Sequence, residues 1–87
     1  MHLSLKLHGP FHALSQEAHY LVSLHTQAPT LADFINALEK DLRKKQPHLV
    51  QLLPACRFAQ HQNVIDDHNK KLDIHAQIVV LPPVSGG

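Results

Sequence analysis

The chain changes its apolar period once and then changes it back, and this constrains its fold more than any other feature. Residues 2–8 read His-Leu-Ser-Leu-Lys-Leu-His, a strict alternation that puts Leu3, Leu5 and Leu7 on one face and His2, Ser4, Lys6 and His8 on the other. From Thr30 the apolar residues Leu31, Phe34, Ile35, Leu38 and Leu42 recur at three- and four-residue steps, forming the stripe of one amphipathic helix. Alternation returns from Ile74, with Ala76, Ile78 and Val80 on one side and His75, Gln77, Val79 and Leu81 on the other. One helical stripe between alternating strands buries its apolar side by lying across a sheet, so the class is α+β with a mixed sheet and one main helix.

The remaining elements follow from local signals. Gly9-Pro10 breaks the first strand, and His19 to His25 alternates again with Tyr20, Val22 and Leu24 on one side, which predicts a hairpin with a long connection. Thr30 is placed to cap the helix, with Asp33 in its acidic first turn, and Pro47 stops it. Pro47 to Pro54 encloses Leu49, Val50, Leu52 and Leu53, which reads as a short helical turn or packed connection. Arg57 to Ala59 reads as a strand, and the polar run Gln60 to Lys71 as turns with a short edge strand. The last strand is apolar on both faces near its end, as expected of a central strand or one with a partner on its outer face.

At 87 residues the chain has room for one small domain, burying only about 60 to 65 per cent of its unfolded surface. A large enclosed active site is therefore not expected. Eight bases against seven acids give no basic stripe, so nucleic acid is not an expected partner. Lys40, Arg43, Lys44 and Lys45 cluster where the helix ends and complement its dipole. The single Cys56 excludes an internal disulfide and a Cys-rich zinc site. Neither a signal peptide nor a run of membrane-spanning length is read, which leads to the expectation of a cytoplasmic protein with no membrane partner.

The candidate site is the end of the chain. Leu81-Pro82-Pro83-Val84-Ser85-Gly86-Gly87 follows directly on the last apolar strand. Two glycines without Cβ atoms pass extended through a slot too narrow for any side chain and present a carboxylate at the tip. Pro82 and Pro83 fix their φ angles and bias Leu81 and Pro82 toward extended backbone, so less entropy is lost on capture. Terminal glycines alone would suit a frayed end. The prolines beside a strand favour a presented tail, dividing the chain into a domain over 1–81 and a tail over 82–87.

Three rival sites deserve comparison. Nine histidines raise the alternative of a His-rich metal-binding module. His8 and His12 are split by Gly9-Pro10, His61, His68 and His75 do not share a long helix, and there is no His-Glu-x-x-His or Cys-x-x-Cys run. No metal ligands are assigned, and a histidine-rich surface is the favoured reading, gaining positive charge as pH falls through about 6.5. Arg57 beside Cys56 would suit an activated thiol, but a small core residue at a strand start is the simpler account. Asp66-Asp67 reads as turn chemistry. With no Gly-rich phosphate loop and no nucleophile-base-acid set, any ATP chemistry must come from another protein.

An order of strand, strand, helix and further strands, ending in Pro-Pro-Val-Ser-Gly-Gly, resembles the molybdopterin synthase small subunits, the MoaD branch of the MoaD/ThiS sulfur carriers. The resemblance is strongest over Ile78 to Gly87. It implies a ubiquitin-like β-grasp fold with no bound cofactor, and a function in molybdenum cofactor biosynthesis. An E1-like, MoeB-like enzyme would use ATP to adenylate the Gly87 carboxylate, which then becomes a thiocarboxylate that donates sulfur to a cyclic pterin precursor. Gly87 thus holds the catalytic position as sulfur donor, not as part of catalytic machinery in this chain. Pro82, Pro83, Val84, Ser85 and Gly86 would thread into a MoaE-like large subunit, while Val79 and Leu81 contribute to an apolar docking patch. Another ThiS-type carrier or a ubiquitin-like modifier of lysines is the alternative within this resemblance. Where the family has a Gly-Asp-Glu turn before its last strand this chain has Asp73-Ile74-His75-Ala76-Gln77, and Gln60, His61 or Gln62 stands for the Asn that precedes it. The first loop, Gly9 to Gln16, lacks an Arg-Glu pair.

Overall fold

A computed structural model describes residues 1–83 of the chain. Strand β1 (His2–Lys6) pairs antiparallel with β2 (His19–Ser23), and the connection between them includes a 3-10 helix over Gly9–Leu14 that buries Phe11 and Leu14. Helix α1 (Leu31–Lys45) crosses the sheet, a second 3-10 helix (Pro47–Ala55) turns the chain, and β3 (Arg57–Gln60), β4 (Asn63–Val64) and β5 (Ile78–Leu81) complete it. The spatial order is β2-β1-β5-β3-β4. β5 runs parallel to β1 and antiparallel to β3, so the last strand of the chain lies at the centre of a mixed sheet. This is the ubiquitin-like β-grasp arrangement.

The helix begins where its side chains dictate. Thr30 Oγ1 accepts from Asp33 N at 3.2 Å, and Thr30 N donates to Asp33 Oδ2 at 3.0 Å, a reciprocal capping box. The next N–H groups, which have no partner within the helix, reach outside it: Leu31 N donates to Lys70 O and Ala32 N to His68 O. The polar segment before β5 is thereby tied to the start of α1. At the other end, the Lys45 ammonium sits 4.8 Å from the Tyr20 ring centroid and Tyr20 donates to Asp41 at 2.8 Å, while Arg43 pairs with Glu39. Burial pushes the Tyr20 phenol up. The basic cluster thus stabilises a helix terminus and latches it to β2.

Leu31, Phe34, Leu38 and Leu42 form the buried stripe of α1. They pack on Leu3, Leu5, Val22, Phe58, Ile78 and Val80 from the sheet, all in one core cluster. Phe34 and Phe58 meet edge to face with centroids 6.0 Å apart.

The alternation starting at Ile74 does not all become strand. Residues 73–76 form a turn closed by the Ala76 N–H on Asp73 O, and β5 begins only at Ile78. The physical reason is a buried side chain. Gln60 Nε2 donates to Asp73 O and Ala76 O, and Gln60 Oε1 accepts from Asp73 N, so this segment gives its backbone groups to a side chain instead of a ladder.

Candidate functional site at the end of the central strand

The alternation along β5 separates a buried and an accessible face within four residues. Ile78 and Val80 point into the core and are fully buried. Val79 is half-buried and Leu81 is 37% exposed on the opposite, outer face. The register identifies their neighbours there: Val79 lies opposite Lys6 on one side and Ala59 on the other, Ala59 lies opposite Val64, and Leu81 lies opposite Arg57. Val79, Ala59 and Val64 therefore make one apolar row across three strands, ending in Val64 at 42% exposure, with Leu81 beside it. Leu21 of β2, 58% exposed, carries apolar surface onto the other edge. Sequence reasoning named Val79 and Leu81 on this face but not Ala59, Val64 or Leu21. The alternation of β2 held the signal for Leu21, whereas the other two needed the strand register.

The rim of this patch is charged. Arg57 pairs with Asp66, both well exposed, beside Leu81. Exposed pairs of this kind contribute little to stability, so the pair is better understood as a polar border.

Pro82 and Pro83 continue from β5. Pro82 is half-buried against the loop that follows β1, where its Cγ would lie 3.1 Å from a Cβ added at Gly9, and Pro83 is exposed. Val84, Ser85, Gly86 and Gly87, the remaining site residues expected from the sequence, lie outside the described residues.

The turn ahead of β5 is braced from β3. Of the three candidates for the position before it, Gln60 is the residue that binds the turn, through the three hydrogen bonds given above, and it is buried. His61 lies one residue further along, with Nε2 2.7 Å from Asp73 Oδ2; a carboxylate only accepts, so Nε2 carries the hydrogen. The His75 N–H on Asp73, followed by His61, holds the Asp73 carboxyl below its ordinary value. His61 and Gln62 both have positive φ, 53° and 66°, in the tight β3–β4 connection. Such a turn favours Asn and Gly, so the His61–Asp73 contact and the Asn63 Nδ2 bond to His61 O hold a conformation that these residues adopt at a cost.

The rival sites resolve into structure. Burial pushes the Cys56 thiol up to about 11, and its Sγ donates to Leu52 O at 3.2 Å. Arg57 faces Asp66, so nothing activates the thiol as a nucleophile. Eight of the nine histidines are exposed and His8 is half-buried. Among the described residues, no three His, Cys, Asp or Glu side chains gather where they would hold a metal ion. Asp67 Oδ1 accepts from Asn69 N at 2.9 Å, the turn chemistry expected of it. No helix among the described residues is long and apolar enough to cross a membrane.

Comparison with known proteins supplies the family. A model of the ThiS family matches residues 11–87. No curated protein gives a match. Among solved structures, SAMP1 from Haloferax volcanii is similar with a TM-score of 0.71 at 16% identity, with 100% of each chain covered. The complex of subunits 1 and 2 of molybdopterin-converting factor from Helicobacter pylori 26695 is similar with a TM-score of 0.60 at 28% identity, again with 100% of each chain covered. The first of these, at its low identity, bears on the fold alone.

Proposed function

The chain belongs to the ThiS family of ubiquitin-like sulfur carriers, and we propose that within it this chain is the small, sulfur-donating subunit of a molybdopterin synthase, acting in the cytoplasm. One observation carries the reading: Pro82-Pro83-Val84-Ser85-Gly86-Gly87 follows directly on a central strand whose outer face keeps Val79 and Leu81 apolar and accessible. A rigid sheet beneath the patch and two prolines after it suit a domain that docks by its face and delivers its end. The likeness to the converting-factor complex supports a MoaE-like large subunit as partner.

The chemistry belongs to Gly87. A carboxylate is a poor electrophile, so an E1-like enzyme would first supply ATP: the carboxylate oxygen attacks the α-phosphorus, pyrophosphate leaves, and an acyl adenylate forms. Hydrogen sulfide, or a donor at the same oxidation level, then attacks the acyl carbon with its electron pair. The bond to AMP breaks, and a thiocarboxylate remains. Its sulfur attacks an electrophilic carbon of the cyclic pterin precursor, an oxygen substituent of that carbon leaves with the bonding pair and takes up a proton, water then cleaves the acyl–sulfur bond to leave a thiol on the pterin, and the Gly87 carboxylate is regenerated. The domain itself contributes docking and aim, with Val79 and Leu81 against the partner and Pro82, Pro83, Val84, Ser85 and Gly86 in its slot.

The test is the intact mass of the protein incubated with ATP, an E1-like enzyme and sulfide. Replacement of one oxygen by one sulfur on the peptide ending in Gly87 is the expected result. Adducts on lysines instead would make the chain a protein modifier, and no change of either kind would overturn the reading. Deleting Gly86 and Gly87 is expected to abolish the exchange while leaving the unfolding transition in place.

A further inference from the structure

The loop after β1 contains a glycine that serves the tail. The parallel register sets Lys6 opposite Val79. Gly9 lies three residues beyond the first and Pro82 three beyond the second, so equal steps along two parallel chains bring them together. Gly9 has φ +57°, and a Cβ built on it would stand 3.1 Å from Pro82 Cγ and 3.9 Å from Pro82 Cβ. The first distance is shorter than an ordinary carbon–carbon contact, so a Cβ there requires Pro82 to give by a few tenths of an ångström, by changing its ring pucker or by shifting the backbone that carries it.

Two independent constraints thus act at one residue. The left-handed backbone disfavours most side chains but tolerates Asn, whereas any Cβ, that of Asn included, would press on Pro82 and displace it by a few tenths of an ångström. The loop itself is well anchored: Leu7 N donates to Ala18 O at 2.8 Å, Phe11 N donates to His8 O at 3.2 Å, and Phe11 is fully buried. An anchored loop facing the Pro82 ring makes a seat.

We propose that Gly9 is a positioning residue for the C-terminal tail: its missing side chain seats the Pro82 ring and so fixes the direction in which the chain leaves β5. The inference rests on the reading that Gly87 is presented to an activating enzyme. Misplacing a reacting group by about 1 Å can cost on the order of a hundredfold in rate, so a seat far from the carboxylate still governs its delivery.

Gly9→Asn keeps a residue that accepts positive φ but adds the Cβ, and it separates the seat from the turn. Sulfur exchange at Gly87 would be followed with sulfide, ATP and an E1-like enzyme for the unsubstituted chain, Gly9→Asn, Pro82→Ala and the double variant, each checked by thermal unfolding. The expected result is a cooperative fold throughout, with kcat/KM falling about tenfold or more on Gly9→Asn in the Pro82 background. In the Pro82→Ala background the same change should cost no more than about twofold. Equal losses in both backgrounds, or no loss in either, would overturn the proposal. A second measurement is independent of the chemistry. The Cα–Hα residual dipolar coupling of Pro83 should fit the rigid domain in the unsubstituted chain and shrink in Gly9→Asn; an unchanged coupling defeats the seat even if exchange proceeds. Absence of exchange in the unsubstituted chain, with the coupling behaving as expected, would instead defeat the carrier reading and leave the seat standing.

Discussion

The two faces of β5 carry similar residues in opposite circumstances. Ile78 and Val80 are fully buried under α1, while Val79 and Leu81 stand on the outer face with solvent access. All four are aliphatic, so composition cannot distinguish them. The inner pair is explained by the core it completes. The outer pair has no such account, and it continues through Ala59 to Val64 at a position where the chain turns into Pro82 and Pro83. An apolar row with a charged rim beside Pro82 and Pro83 is, under the function proposed, surface for a partner. The comparison teaches that one strand can complete the core on one side and leave an apolar face accessible on the other because strand side chains alternate.

The largest expected effect tests the inner side. Phe34→Ala removes a fully buried ring that meets Phe58 edge to face. The expected loss is about 3–5 kcal/mol in urea unfolding, comparable to much of a small domain's total stability of about 5–15 kcal/mol. A loss below about 1 kcal/mol would mean the core is not where these faces divide. Next comes the brace ahead of the strand. Gln60→Ala takes the side-chain partner from Asp73 N and Ala76 O, while Asp73 O keeps the Ala76 N–H, with an expected cost of about 1–3 kcal/mol. Hydrogen exchange should quicken first at Asp73 and His75.

Leu81→Ser examines the outer side, and here the two faces should part. Unfolding should shift by no more than about 0.5 kcal/mol, while affinity for a large-subunit partner falls about tenfold, or about 1.4 kcal/mol. Loss of stability without loss of affinity would reverse the assignment. The smallest effect concerns Asp73, whose carboxyl is held below its ordinary value of 3.8 by the His75 N–H and then by His61. A depressed carboxylate adds stability that is present above the unfolded value and is lost as pH falls through the folded one. Asp73→Asn should therefore flatten the acid limb of the stability curve below about pH 4, with little change near neutrality. An unaltered acid limb would detach His61 and Asp73 from the brace.

How legible these features were depended on the range over which each is encoded. The cap at Thr30 and Asp33, the stripe through Leu31, Phe34, Leu38 and Leu42, and the strand pattern of Leu3 and Leu5 are written within one or two turns of chain, and all were read correctly. The polar run Gln60 to Lys71 does hold turns and a short edge strand, β4, but the residues of the β3–β4 turn are not legible, because His61-Gln62 lacks the Asn-Gly signature of a tight hairpin and holds its positive φ angles with help from Asp73. The start of β5 was placed at Ile74 instead of Ile78, because the alternation of His75 to Gln77 continues through a turn held by a side chain from another strand.

By itself, then, the sequence determined the class of the fold and the polarity of its faces, since period and capping are properties of neighbours along the chain. Only the tertiary structure decided that Val79 shares a row with Ala59 and Val64, that Gln60 is the residue holding the turn, and that Gly9 lies against Pro82. Each of these depends on strand order and register, which are set by how the helix and sheet bury their apolar surfaces together and therefore by the whole chain at once.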